Sequence, residues 1–570
     1  MIWTRLASFS KKPLFWLFVL SACLGSNWAF FRIQFHTGFH LVFGDRTDGL
    51  IEITILEHWW NFLRGLSHWN KGFFFYPIRD SIGYNDAYFL YGLTYSFFRF
   101  LKADPLLSSD LTNLTIKVIG FFGCYGLLRV IRMPVLTSAL GATLFTLSNN
   151  TYVNAYHAQL LSVAFLPCLI IILFRALGAI KRDSPIGIFF WGATGALFYC
   201  LWLITTFYTA WFSAFFAVFF AVALLIQRLH KPLPWPQWWK SEKLFRLQLP
   251  VVGVGVVALV GLLPFLRIYL PTASETGMHP VSEVMQFSPS LIDIMNVGSR
   301  NWLYGQLDRG ISSLLGAEFP LSGEHVMGMP PGLLLLAAIG SLLTALKSGS
   351  QRRVWIALSF TTLLTWLFTI HVYGMSVWPL FYAYFPAAKA VRVISRYEII
   401  LVLPIIMLAM EAVRRLTAAT PEGSTRQLLG RYAIGAILGL FLIAEEINCS
   451  WPVALQRPQE MVRVYSVPPM PSYCRAFFAL NERPGPPLEP SLIDAFYSNN
   501  VDSMFIAEVR GMPTLNGMAS FFPKGWDLTS PKASDYLMRV NAYLEAKHIG
   551  QVCALDLMTL KWVGQPSGRK

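Results

Sequence analysis

Residues 87–101 read AYFLYGLTYSFFRFL, and the sidedness of everything that follows depends on whether they cross a membrane. The stretch has 15 residues. At about 1.5 Å per residue it makes roughly 22 Å of helix, short of a hydrocarbon core about 30 Å thick. If it crossed, the clusters Arg129/Arg132 and Arg175/Lys181/Arg182 would both fall outside, against the excess of Lys and Arg that marks cytoplasmic loops. Read as an interfacial or re-entrant segment, it returns both clusters to the inside.

Outward from that stretch, the long apolar runs fall at Leu14 to Phe31, Leu111 to Ile131, Val135 to Leu147, Leu161 to Ala179, Ile186 to Thr205 and Ala210 to Ile226. They continue at Val251 to Leu270, Gly332 to Leu346, Val354 to His371, Ile399 to Val413 and Ala433 to Ile447, which makes eleven expected spans. With the N-terminus cytoplasmic, the inner loops also collect Arg228 through Arg246, Lys347/Arg352/Arg353 and Arg414 through Arg431. The short outer turns around Asn154 and Phe207 hold no Lys or Arg. The first run follows Arg5, Lys11 and Lys12 like a signal peptide, but it is long, aromatic and without a small-residue cleavage site, so a retained helix is expected.

Composition agrees: 55% hydrophobic and 14% charged residues with mean hydropathy +0.49 describe a polytopic membrane protein. The net charge of +15 does not signal nucleic-acid binding, because spans separate the basic clusters and no single groove collects them. Residues 1–448 form the expected transmembrane unit, all-α, with outer loops at 36–110, 271–330 and 371–398. Residues 449–570 read as a small extracytoplasmic α/β domain. In it Asp502 to Glu508 (DSMFIAE) suggests a strand, Ala533 to Lys547 an amphipathic helix, and the last segments strands. Cys449, Cys474 and Cys553 lie there, and two of them can pair if that side is oxidising.

The chemistry-bearing residues concentrate in the outer loops. Asp45 and Asp48 flank Arg46 and Thr47 just before a helical pattern. Asp48 sits where an N-cap belongs, whereas Asp45 has no evident structural duty. Glu57 and His58 lie on that helix beside tryptophans that suit a headgroup layer. Asp86 is placed to cap the segment after it, or to join an acidic cluster with Asp45. The turn Asn149 to Gln159 is dense in amides and hydroxyls and carries Tyr156 and His157. It reads either as a polar helix end or as a sugar-binding surface. Lys389, Arg392 and Arg396 lie outside against the charge bias. Arg392 and Arg396, at i,i+4 spacing, suit a phosphate.

These features resemble the GT-C membrane glycosyltransferases, which use polyprenyl-phosphate-linked sugars. The likeness rests on GDRTDG (44–49), ILEHW (55–59), FYP (75–77) with YND (84–86), GEHVMGMPPG (323–332), RVISR (392–396) and LNGMASFFP (515–523), as in bacterial members. The resemblance implies a multi-pass protein of the inner (plasma) membrane and inverting transfer of a sugar from a polyprenyl phosphate to an acceptor hydroxyl of a glycan, lipid or protein. Asp45 would be the general base. Lys389, Arg392 and Arg396 would hold the lipid phosphate. Asp48, Glu57, His58, Asp86, His157 and Glu324 would position sugar or acceptor. These motifs demand no cofactor, although the D-x-x-D spacing in place of D-x-D or adjacent acids leaves a divalent metal open. A lipid-linked-sugar flippase, or a non-catalytic relative, is the alternative. A flippase would want charges within its spans. Few are present: Lys117, Arg267, Glu411, Glu445 and Glu446.

Overall fold

A computed structural model describes residues 13–227, 242–316, 321, 323–346, 350–418, 425–484 and 492–563. The basic residues Arg5, Lys11, Lys12 and Lys347, most of the Arg228 through Arg246 cluster, and the proline-rich residues 485–490 lie outside the described residues.

All eleven expected spans coincide with helices. They are α1 (Pro13–Phe30), α4 (Pro105–Val130), α5 (Val135–Leu147), α6 (Phe165–Lys181), α7 (Pro185–Thr205), α8 (Phe207–Ile226), α9 (Glu242–Thr276), α10 (Pro331–Ala345), α11 (Ser350–Thr369), α12 (Glu398–Leu416) and α13 (Thr425–Glu446). Among the described residues five segments are long and apolar enough to cross a membrane by length and composition: Pro105–Val130, Ala158–Lys181, Pro185–Thr205, Phe207–Ile226 and Leu247–Thr276. Phe15–Phe30 and Pro331–Ala345 are shorter apolar helices. α12 is the central post, its residues Ile399 to Ile406 all buried and its sides covered by α5, α10 and α11.

The segment whose reading set the sidedness is a helix of only 12 residues, α3 (Phe89–Phe100). At about 1.5 Å per residue it spans about 18 Å, well short of a bilayer core. It lies against α2 (Asp48–Leu63), and two contacts fix the pair. Glu57, fully buried, accepts hydrogen bonds from the Tyr95 hydroxyl at 2.6 Å and from Arg99 Nε and Nη2 at 2.8 and 3.0 Å. Gly92 admits the Trp59 ring, whose Cδ1 lies 2.2 Å from where a Cβ would stand. Three donors thus satisfy a carboxylate that burial alone would make costly.

The chain after residue 448 pairs and packs with segments of the first outer-loop region expected from the sequence. β1 (Leu41–Val42) pairs antiparallel with β2 (Leu455–Gln456). β3 (Ala476–Ala479) runs parallel to β4 (Val552–Asp556), which pairs antiparallel with β5 (Lys561–Val563). Three helices accompany them, α14 (Arg457–Ser466), α15 (Leu492–Arg510) and α16 (Tyr536–Ala546). A disulfide joins Cys474 to Cys553, and Cys449 is free. The expected strand at Asp502 to Glu508 is instead the interior of α15, which packs on α2. Asn61 donates to the Glu508 carbonyl and to its Oε2, both at 2.8 Å, and the Phe73 amide donates to Oε1 at 2.6 Å. Because α15 is covered on all sides over Val501 to Glu508, it lacks the polar face that would have marked a helical period.

Candidate functional site

The motif GDRTDG closes on itself. Gly44 has φ +93°, and a Cβ on it would stand 2.6 Å from the Gly49 Cα, so the loop needs glycine at both ends. This tight closure brings Asp45 over the first turn of α2. Asp45 Oδ1 accepts from Thr47 N (2.9 Å), Thr47 Oγ1 (2.6 Å) and Gly49 N (3.3 Å), and the Asp45 carbonyl accepts from Leu50 N. Asp45 therefore does the capping that the sequence had suggested for Asp48. Asp48 occupies the first helical position and makes no cap hydrogen bond; its carboxylate turns toward His157 instead.

From Asp48 a row of polar side chains runs across the loops that carry residues 157, 324 and 396. His157 Nδ1 lies 3.3 Å from Asp48 Oδ2, and His157 Nε2 lies 3.3 Å from Glu324 Oε1. His157 thus bridges the two acids, one on each ring nitrogen. Glu324 pairs with Arg396 in fork geometry, Nε to Oε2 at 3.1 Å and Nη2 to Oε1. Burial raises the Glu324 carboxyl, but the Arg396 charge and the bonds from His157 and Arg396 outweigh it and hold the group well below the usual carboxylate range. The Arg396 guanidinium sits 5.4 Å over the Tyr208 ring. Exposure differs at the two ends of the row: the Asp48 side chain is 38% exposed and Arg396 6%, with His157 at 9% and Glu324 at 17% between them. Asp48 is thus the end open to a ligand.

Arg392 stands beside this row without joining it. Its backbone N–H donates to the Tyr208 hydroxyl at 2.9 Å. Its side chain, 45% exposed, lies 3.7 Å from Glu283 and over Phe287. The expected i,i+4 alignment of Arg392 with Arg396 is corrected, because Val391 to Val393 lie outside any helix and residues 394–397 form only a 3-10 turn. Lys389 is exposed above the Tyr382 ring at 5.8 Å. It neighbours the short helix Trp378–Tyr384, whose Leu380 and Tyr384 side chains face outward.

The asparagines of the turn 149–159 hold backbone. Asn150 Nδ2 donates to the Met327 carbonyl and Asn154 Nδ2 to the Val326 carbonyl, at 3.1 and 3.0 Å. They fix the strap that carries Glu324, so the structural reading holds for the amides while His157 and Tyr156 face the site. Tyr156 lies against His157 with ring centres 4.2 Å apart and the planes tilted by 44°. Burial, then the charge of Glu324, pushes its hydroxyl far up, with Asp45 and Asp48 adding to the shift. His325 braces the strap from the other side through Asp293, at 3.0 Å.

Three expected site residues have other work. Glu57 is the buried partner of Arg99 and Tyr95 described above. His58 is buried beneath Trp69, whose carbonyl lies 3.2 Å from its Nε2, and burial lowers its pKa to about 4. Both face the α3 and α15 side of α2, because Asp48 and residues nine or ten positions later fall on different faces. Asp86 caps α8 rather than its own segment: its Oδ1 accepts from Phe207 N at 2.8 Å. Burial pushes Asp86 up to about 6, against the Phe207 bond and the Arg396 charge that lower it. It therefore borders the site, on the side of Tyr208.

Sequence reasoning missed Tyr208 and Glu283. The one available signal for Tyr208 was a phenol at the outer start of a span, in a turn free of Lys and Arg. Among the described residues no group of three or more His, Cys, Asp or Glu is placed to hold a metal ion. In the row itself His157 separates the two acids, each on a different ring nitrogen, so the three do not converge on one point.

No family model matches the chain, and no curated protein matches it. Among solved structures, the arabinofuranosyltransferase AftD from Mycobacteria aligns with 89% of this chain at 12% identity and a TM-score of 0.47. The chain spans 33% of that protein's length.

Proposed function

We propose that this chain is a multi-pass membrane glycosyltransferase that inverts a sugar from a polyprenyl phosphate onto an acceptor hydroxyl at the outer face. The observation that carries the reading is the continuous row Asp48, His157, Glu324, Arg396, exposed at its Asp48 end, beside the exposed Arg392. It sets a half-open carboxylate at one end and cationic groups at the other, the polarity that displacement of a phosphate by an alcohol requires. The motif resemblance to the GT-C enzymes points the same way, and the Cys474–Cys553 disulfide fits an oxidising outer compartment for the tail.

In the proposed step the acceptor oxygen attacks the anomeric carbon, a new C–O bond forms, and the bond from that carbon to the phosphate oxygen breaks. The acceptor proton passes to the Asp48 carboxylate. The leaving phosphate keeps the bonding pair, and Arg392 and Lys389 bind its charge from the exposed side. Arg396, neutralised by Glu324, orients His157 through that carboxylate, and His157 in turn orients Asp48. Asp45, first expected as the base, becomes a positioning residue because its Oδ1 already takes three donors. It stays the alternative base through Oδ2, which none of those donors engages.

The test is transfer of labelled sugar from polyprenyl-phosphate donors in membranes carrying Asp48→Asn or Asp45→Asn. Loss of transfer in Asp48→Asn, with a lesser loss in Asp45→Asn, supports the assignment. The reverse order moves the base to Asp45.

A further inference from the structure

The GDRTDG loop carries an arginine, Arg46, between its two acids, and the proposed step gives it no task. Asp45 bonds to the first turn of α2 and Asp48 turns to His157, but Arg46 turns to the tail. Its Nε donates to Glu460 Oε1, on α14, at 3.3 Å. The Glu460 side chain is 1% exposed and already held by Arg483, whose Nη1 and Nη2 reach its two oxygens at 2.6 and 2.8 Å. Arg483 Nη1 also donates to Asp502 Oδ1 at 3.2 Å, and Asp502 Oδ2 accepts from Arg463 Nε at 3.0 Å. The loop backbone meets the same part of the chain: Gly44 N donates to the Pro452 carbonyl at 3.1 Å, and Ala454 N donates to the Gly44 carbonyl at 2.9 Å.

Charge balance sets Arg46 apart from the rest of this network. Arg463 and Arg483 match Asp502 and Glu460, two charges against two, and the fork from Arg483 already satisfies the buried Glu460. Arg46, 30% exposed, is surplus to that balance, and a single partly exposed ion pair adds little to stability. What the contact fixes is the loop. Gly44 closes on Gly49, so the residues between them move together, and Arg46 stands two positions before Asp48. Among the described residues it is the one side chain of GDRTDG with a hydrogen bond or ion pair to the tail. We infer that Arg46 is a positioning residue, a latch that ties the loop to α14 through Glu460 and so lets the tail set the aim of Asp48, a role that rests on Asp48 being the base.

The test compares Arg46→Gln, Arg46→Lys and Asp48→Asn in the full chain, by initial rates of labelled-sugar transfer from polyprenyl-phosphate donors in membranes and by unfolding temperature in detergent. Arg46→Gln leaves the four inner charges balanced, so its unfolding temperature should stay within about 2 °C of the parent. Its kcat should nevertheless fall at least about tenfold, with the donor KM unchanged, because a displaced base loses rate steeply. Arg46→Lys, which keeps a charged donor toward Glu460, should recover most of that rate. In a Glu460→Gln background Arg46→Gln should lower kcat no further. Should Glu460→Gln not fold, since it strands Arg483, the Gln and Lys variants of Arg46 carry the comparison. A parent kcat in Arg46→Gln while Asp48→Asn is inactive would overturn the latch and leave the base standing. A rise in donor KM alone, or a loss of rate that tracks the unfolding temperature, would overturn the latch too. A parent rate in Asp48→Asn would overturn the base and the latch with it.

Discussion

Removing both partners of the Glu324–Arg396 fork should cost less than the sum of removing each alone. Arg396 is 6% exposed and Glu324 17%, so Glu324→Gln strands a guanidinium in the interior. A buried charge left unpaired costs about 3–5 kcal/mol, and the residual exposure of Glu324 puts this case near about 3 kcal/mol. Arg396→Met strands the carboxylate, still contacted by His157, at about 2 kcal/mol. The double variant removes both charges and should lose only about 3 kcal/mol, a coupling of about 2 kcal/mol. Thermal unfolding in detergent reads the three variants against the parent. The acid side adds a sign. Glu324 is held below its ordinary value of about 4.3, so its contribution is complete above that pH and fades as pH falls through the lower native value. The gap between parent and Glu324→Gln is therefore flat from about pH 5 to 8 and narrows only in stronger acid. Additive losses, or a gap that closes between about pH 7 and 5, would refute the reasoning.

Gly92→Ala should destabilise by about 2–3 kcal/mol, since the new Cβ meets Trp59 at 2.2 Å; a neutral effect on unfolding temperature would show that α2 and α3 are not tightly packed. Asp86 is raised to about 6 in the fold against about 3.9 free, so stability falls as pH rises from about 4 to 6 and is level above. Partial exposure reduces this to about 1 kcal/mol, and Asp86→Asn should abolish the slope. Replacing Cys474 and Cys553 by alanine should cost about 2–4 kcal/mol, visible as equal loss in the parent treated with reductant.

The apolar runs made the helices legible, down to the short α3, because the length of an apolar run sets how far a helix can reach. What the sequence did not show is which acid caps α2. That depends on the close approach of Gly44 to Gly49, a long-range fact of backbone that no capping preference encodes. The pairing of Arg392 with Arg396 failed for a related reason. Residues four apart share a face only within an α-helix, and this stretch is extended and then 3-10. Glu57 and His58 looked functional because charge beside tryptophan is unusual. Their partners, Arg99, Tyr95 and Trp69, lie 11 to 42 positions away and cannot be read locally.

The central assignment is a base at Asp48, and the most direct measurement is the initial rate of sugar transfer by Asp48→Asn in sealed membranes, at matched protein level. Loss of a positioned general base should lower the rate about 10²–10⁴-fold with donor binding retained. Transfer at the parent rate by Asp48→Asn would contradict it.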